Sequence, residues 1–195
     1  MLNKLKLLKN YFSIILKKLL YAFPVGRKNF WEDYSKTIYD KYGNDKIDYK
    51  ILQSILKKNN PKKLLDIGCG NGRLFPIYFE NNINEIIGQD ISKKALDLIK
   101  KRYPNNNYLL INKNIINLNY PDSHFDLIIS NRVLQSIPKV EIYQIIKKIS
   151  KISRFIYINE VSEVDSDIIN PLNAHYIIQH NYKMMFDKNS FILSE

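Results

Sequence analysis

A single cysteine, Cys69, stands in the whole chain, so no disulfide can form within it and a reducing, cytoplasmic setting is expected. Six glycines and seven prolines among 195 residues leave few breakers, and regular structure is expected to dominate. No uninterrupted apolar run reaches the ~18–20 residues that a membrane span needs. The most apolar early stretch is broken by Lys17-Lys18, which also spoils it as the core of a secretory leader. Acids are missing between Met1 and Trp31, where Lys4, Lys6, Lys9, Lys17, Lys18, Arg27 and Lys28 supply +7 of the formal +11. Only +4 remains for everything after Trp31, so a nucleic-acid footprint over the main body of the chain is not expected.

What is present divides into two parts, a basic amphipathic helix within residues 1–28 and one α/β domain over 29–195. At 100° per residue, Leu2, Leu5, Leu8, Phe12, Ile15, Leu16, Leu19 and Phe23 share one broad face, with Asn3, Lys6, Asn10, Ser13 and Lys17 opposite. Pro24 and Gly26 are expected to end this helix. Two readings stand for it: a flank packed on the domain or on a second copy, or a peripheral anchor with its lysines on anionic lipid. Helices are then expected at 30–42 and 47–56. Strands follow at 62–67, 85–90, 107–111, 125–130 and 154–160, with helices at 71–81, 92–103 and 139–150 between them. Such alternation predicts a mostly parallel sheet with helices on both faces.

The unit at 62–81 carries the sharpest chemistry. Gly68, Gly70 and Gly72 let the backbone turn tightly and approach a ligand with no Cβ in the way. A helix starting near Asn71 would aim free amides at the same spot. The spacing is Gly-x-Gly-x-Gly, preceded by Asp66, and Arg73 stands where a dinucleotide fingerprint has its third glycine. Asp90, at the end of the second expected strand, offers two acceptors to the two hydroxyls of a ribose. The competing use of Asp90 is to cap the next helix, for which Ser92 is better suited.

Together these residues resemble the class I S-adenosylmethionine-dependent methyltransferases, from about Phe30 to Glu160. The resemblance implies S-adenosylmethionine as cofactor and a Rossmann-like fold. It places Asp66, Gly68, Gly70 and Gly72 at the methionine end, Asp90 at the ribose and Ile91 beside the adenine. The stretch Asn114-Ile115-Ile116-Asn117-Leu118 aligns with the family segment whose acid meets the adenine amino group. Here the acid is replaced by Asn114, an amide that still accepts. Phe125 to Pro138 resembles the fourth-strand motif, so Asn131 is expected to line the cofactor and acceptor pocket. Ser136 stands where many members carry histidine.

The acceptor is expected to be a small molecule, plausibly a sugar or cell-envelope precursor. The polar–Pro–Pro–aromatic motif that marks methylation of nucleic-acid bases is absent after Ser130. His175, His180 and Tyr182 are the candidates for a base, because His180 to Phe186 looks like a stretch of methyltransferases from surface-polysaccharide loci. His124 is expected in a surface loop. Trp31 and Tyr34 are expected to pack as part of an aromatic helix, with a cation–π contact to the sulfonium as the second reading. No His/Cys/acid cluster has metal-ligand spacing. Family sheets usually have seven strands, whereas this chain offers Ser190 to Leu193 as a sixth and nothing for a seventh. The uncovered edge invites a homodimer, and the departures at Asn114 and Ser136 leave a catalytically impaired binding or scaffold protein as the alternative to an enzyme.

Overall fold

The computed structural model describes residues 24–34, 46–160 and 180–189. The expected amphipathic helix over 2–23, the expected sixth strand and His175 lie outside them.

Five strands, β1 (Lys63–Ile67), β2 (Glu85–Asp90), β3 (Leu109–Asn112), β4 (Phe125–Asn131) and β5 (Ser153–Asn159), form one sheet in the order β3-β2-β1-β4-β5. Every pairing is parallel. The reason lies in the side chains. Leu64, Ile86, Leu127 and Ile129 point to one face, where they meet Leu52, Leu56, Phe75, Tyr78, Leu96 and Ile99. Leu65, Ile67, Ile87 and Ile128 point to the other, where they meet Ile142, Ile145, Ile146 and Ile149. Strands buried on both sides need helices on both sides, and parallel strands need crossovers to supply them.

Those helices are α1 (Pro24–Tyr34), α2 (Lys46–Asn59), α3 (Phe75–Phe79), α4 (Lys93–Arg102), α5 (Lys139–Ile152) and α6 (Tyr182–Asp187). Two differ from expectation. Pro24 begins a helix instead of ending one, as a residue without an N–H can at a first helical position. The helix expected from residue 71 begins only at Phe75, because Gly72 sits at φ +76°, where an α-helix cannot run. At five residues, α3 cannot supply the helix-end field expected for the glycine turn.

Asp126 ties the sheet at its amino edge. Its Oδ2 accepts from the backbone N–H groups of Lys62 and Lys63 at 2.8 and 3.0 Å, joining β4 to the start of β1. These hydrogen bonds outweigh burial and hold its carboxyl below the usual range. Among the described residues no helix is long and apolar enough to cross a membrane.

Candidate active site

In a parallel sheet, ligands bind beyond the carboxyl ends of the strands, where the order reverses. Here that place is the gap between β1 and β4, since the chain goes outward from β1 to β3 and then returns to β4. The expected cofactor residues collect along this edge. Asp66 is on β1, Gly68 to Gly72 follow it, Asp90 ends β2, Ile91 comes next, Asn114 and Ile115 follow β3, and Asn131 ends β4.

The turn after β1 is built for close approach. Gly68, Gly70 and Gly72 have φ of +61°, +57° and +76°, a region that disfavours any Cβ. A Cβ on Gly68 would also overlap the isopropyl group of Val133, from the turn after β4. Asp90 holds the turn: Oδ2 accepts from Gly70 N–H at 2.9 Å and Oδ1 from Ser92 N–H at 2.8 Å. Each oxygen keeps a further lone pair, so the carboxylate is oriented and still able to accept two hydroxyls. Burial pushes its pKa up to about 6 against the pull of those N–H groups. Ser92 is the helix cap, accepting from Ala95 N–H at 3.1 Å, which frees Asp90 from that duty.

Asp66 is buried beneath the turn and accepts from the Tyr78 hydroxyl at 3.0 Å. Burial, with the nearby charge of Asp90, pushes its pKa up to about 7, although the Tyr78 hydrogen bond and Arg73 oppose this. Burial likewise raises the Cys69 thiol, so it is a packed small residue here and no nucleophile.

Asn114 accepts from Ile116 N–H at 3.2 Å as the cap of a 3-10 turn at Ile115–Asn117, and Ile115 is buried in the core. Ile91 is half-buried, and its carbonyl accepts from Asn112 Nδ2 at 2.9 Å. Asn131 accepts from Asn159 Nδ2 at 3.3 Å.

Two of the base candidates, His180 and Tyr182, are buried. His180 is 1% exposed, its Nε2 lies 3.0 Å from the Ile137 carbonyl oxygen, and its ring packs edge-on to Tyr182. Tyr182 is buried in the core beside α5. Burial and the charge of Glu160 raise its pKa. His124 stacks on Tyr120, and Trp31 packs edge-on to Phe30.

Four further residues act here; Asn71 was expected only as part of the glycine stretch, and Gln89, Glu160 and Glu32 carried no expectation. Asn71 is 2% exposed within the glycine turn, and its Oδ1 has no hydrogen-bond partner. Gln89 is a buried amide next to the end of β2; its Oε1 accepts from Gly68 N–H at 3.2 Å and its Nε2 donates to the Lys113 carbonyl. Glu160, just past β5, gathers the turn after β4: Oε1 accepts from Ser130 Oγ, Val133 N and Leu134 N at 2.6, 2.8 and 3.0 Å, and Oε2 from Gln135 N at 3.1 Å. Burial raises its pKa, and those four donors oppose the rise. Glu32 of α1 is the fourth. Its carboxylate accepts from Lys93 N and Lys94 N at 2.9 and 3.0 Å and from Ser92 Oγ at 3.1 Å.

Glu32 and Arg27 together fasten α1 at both ends. Arg27, 3% exposed, meets Glu141 in the first turn of α5 at 2.7 Å. Since α4 follows β2 and α5 follows β4, α1 runs at the carboxyl end of the sheet between the starts of these two helices.

A family model described as "Methyltransferase domain" matches residues 65–154, from the last strand residues before the glycine turn to the start of β5. Over that stretch the chain is similar to methyltransferase domains. An uncharacterized protein of Haemophilus influenzae is 35% identical over 112 residues, which are 54% of this chain and 44% of that protein. The ribosomal RNA small subunit methyltransferase A of Mesomycoplasma hyopneumoniae is 24% identical over 153 residues, 78% of this chain and 55% of that enzyme. The chain thus spans about half the length of these relatives. Magnesium protoporphyrin IX methyltransferase of Synechocystis, solved with its cofactor, shares the fold with a TM-score of 0.65 at 16% identity, over 86% of this chain and 88% of that one.

The methyltransferase cofactor is S-adenosylmethionine, and the residues present fit it. The glycine turn, left-handed at three positions, offers backbone that a ligand can approach closely, Asp90 offers two oriented acceptors, and Asn71 Oδ1 is a buried acceptor without a donor. Among the described residues no group of three His, Cys, Asp or Glu could hold a metal ion.

Proposed function

We propose that this protein transfers a methyl group from S-adenosylmethionine to a small-molecule acceptor, of the class of sugars or cell-envelope precursors. The observation that carries the small-molecule reading is the roof. Helix α1 is fastened at the carboxyl end of the sheet, to the start of α4 through Glu32 and to the start of α5 through Arg27, where it would cover a cofactor held by the glycine turn. A covered centre suits an acceptor that enters whole better than a site on a folded polymer. The sugar class rests on the short likeness from His180 to Phe186.

The bound cofactor supplies an already activated sulfonium methyl for in-line displacement. What remains for the chain is to position, and orientation alone is worth effective molarities up to ~10⁵–10⁸ M. Asp90 would hold the ribose, the glycine turn and Asn71 the amino-acid end, and α1 would exclude water. With His180 and Tyr182 packed into the core, an acceptor that ionises or carries a free amine lone pair needs no base from the described residues.

Isothermal titration with S-adenosylmethionine and its demethylated product tests the cofactor; absence of binding at millimolar concentration would overturn it. Turnover of radiolabelled donor with size-fractionated cell extract tests the rest. Label passing into the low-molecular-weight fraction is expected. Label in protein or RNA would refute the small acceptor, and binding without turnover would identify a binding protein.

A further inference from the structure

Six large hydrophobic residues are notably exposed among the described residues, and three of them, Val140 (82%), Tyr143 (46%) and Met184 (39%), share one neighbourhood. Val140 and Tyr143 lie one turn apart on the outer side of α5, whose inner side is Ile142, Ile145 and Ile146. Met184 is on the outward side of α6, whose Tyr182, Met185 and Phe186 pack inward. The His180–Ile137 contact places the start of α6 beside the start of α5. The Arg27–Glu141 pair places α1 at the same point.

The charges of this face are mostly positive. Lys28 on α1, Lys139 on α5 and Lys183 on α6 are all exposed. Of the acids beside them, Glu141 is matched by Arg27, and Asp187 lies one turn from Lys183 on α6. Apolar tips ringed by lysines fit a lipid headgroup layer, where the tips enter the acyl boundary and the lysines meet anionic phosphates. The segment immediately before Pro24 carries the same two properties in its sequence, namely an apolar stripe and five lysines with no acid.

We propose that the face formed by Lys28, Lys139, Val140, Tyr143, Lys183 and Met184 docks on an anionic membrane surface. Because the Arg27–Glu141 contact joins this face to α1 at the carboxyl end of the sheet, docking sets the mouth of the site at the bilayer. The acceptor is then an amphiphilic or lipid-linked small molecule taken from that surface. The last step rests on the proposed methyl transfer, whereas the docking does not.

The test is co-flotation of the full chain with phosphatidylcholine vesicles, with and without phosphatidylglycerol, in parallel with cofactor titration. The full chain should float only with the anionic vesicles and less so at high salt. Lys183→Glu should lower the partition about fivefold or more, and Val140→Asp with Tyr143→Asp should lower it further. All three substitutions should leave cofactor affinity unchanged. Equal flotation with neutral vesicles would overturn the proposal, as would undiminished flotation of the substituted chains, which would assign binding to residues 2–23 alone. Failure of cofactor titration with intact flotation would strike the methyltransferase reading and leave the docking face standing.

Discussion

Nη2 of Arg27 lies 2.7 and 2.8 Å from the two carboxylate oxygens of Glu141, across 114 residues of sequence. The Arg27 side chain is 4% exposed and that of Glu141 25%, so the pair is only partly screened by water. Arg27→Ala should cost about 1–3 kcal/mol, the range for hydrogen bonds to charged groups. It should also speed amide exchange along α1 and weaken cofactor binding. Hydrogen exchange and urea melts check this; unchanged exchange over 24–34 would mean the contact does not hold the roof.

Asp66 should make the protein less stable as pH rises. Its folded pKa of about 7 exceeds the ordinary 3.8, so the folded state binds the extra proton between those values. Stability is full below about 4 and falls as the pH climbs to 7, by at most about 4 kcal/mol. Asp66→Asn keeps an acceptor for Tyr78 and removes the charge. Its melting temperature should exceed that of the parent at pH 8 and match it near pH 4.

Asp90 should show the opposite dependence in a different observable. Protonation near pH 6 turns one of its acceptor oxygens into a donor, so cofactor affinity should fall as pH drops through that value. Titrations across this range should give a sloping profile for the parent chain and a flat, weaker one for Asp90→Asn. Asp90→Ala should lose on the order of 10–100-fold in affinity at neutral pH.

Asn71 separates binding from folding. Its orphaned Oδ1 is a burden on the free protein, so Asn71→Ala should leave thermal stability equal or higher. The same change should weaken cofactor binding. Calorimetry and melting curves on one sample decide it, and a loss of both would make Asn71 a purely structural residue.

Much of the fold was legible because it is repetitive. Each strand lies within two residues of its expected bounds, and β1, β2 and β4, buried on both faces, stand out as largely apolar runs. Asp90 and the glycine turn were legible because ligand and backbone constraints meet within one short segment. The start of α3 departs from expectation because Gly72, whose residue type marks a close ligand approach, also stops a helix at φ +76°. Glu32, Gln89 and Glu160 were passed over for another reason. Their partners lie about 20 to 60 residues away, and a lone acid or amide carries no mark of which distant N–H it will meet. A glutamine inside β2 and an acid directly after β5 were the available hints. Tyr182 and His180 are buried beside α5, with the Tyr182 hydroxyl close enough to Glu160 to feel its charge.

The sheet order also fixes a schedule for synthesis. β1 can pair with β2 as soon as both have emerged, but its other neighbour, β4, comes 63 residues after it, as the Lys63–Asp126 bond records. At ribosomal rates of about 5–20 residues per second, one flank of the central strand stays bare for about 3–13 s. During that interval Leu64 and Leu65 present a sticky half-sheet, and a chaperone that binds extended apolar segments would find its target there on every nascent chain.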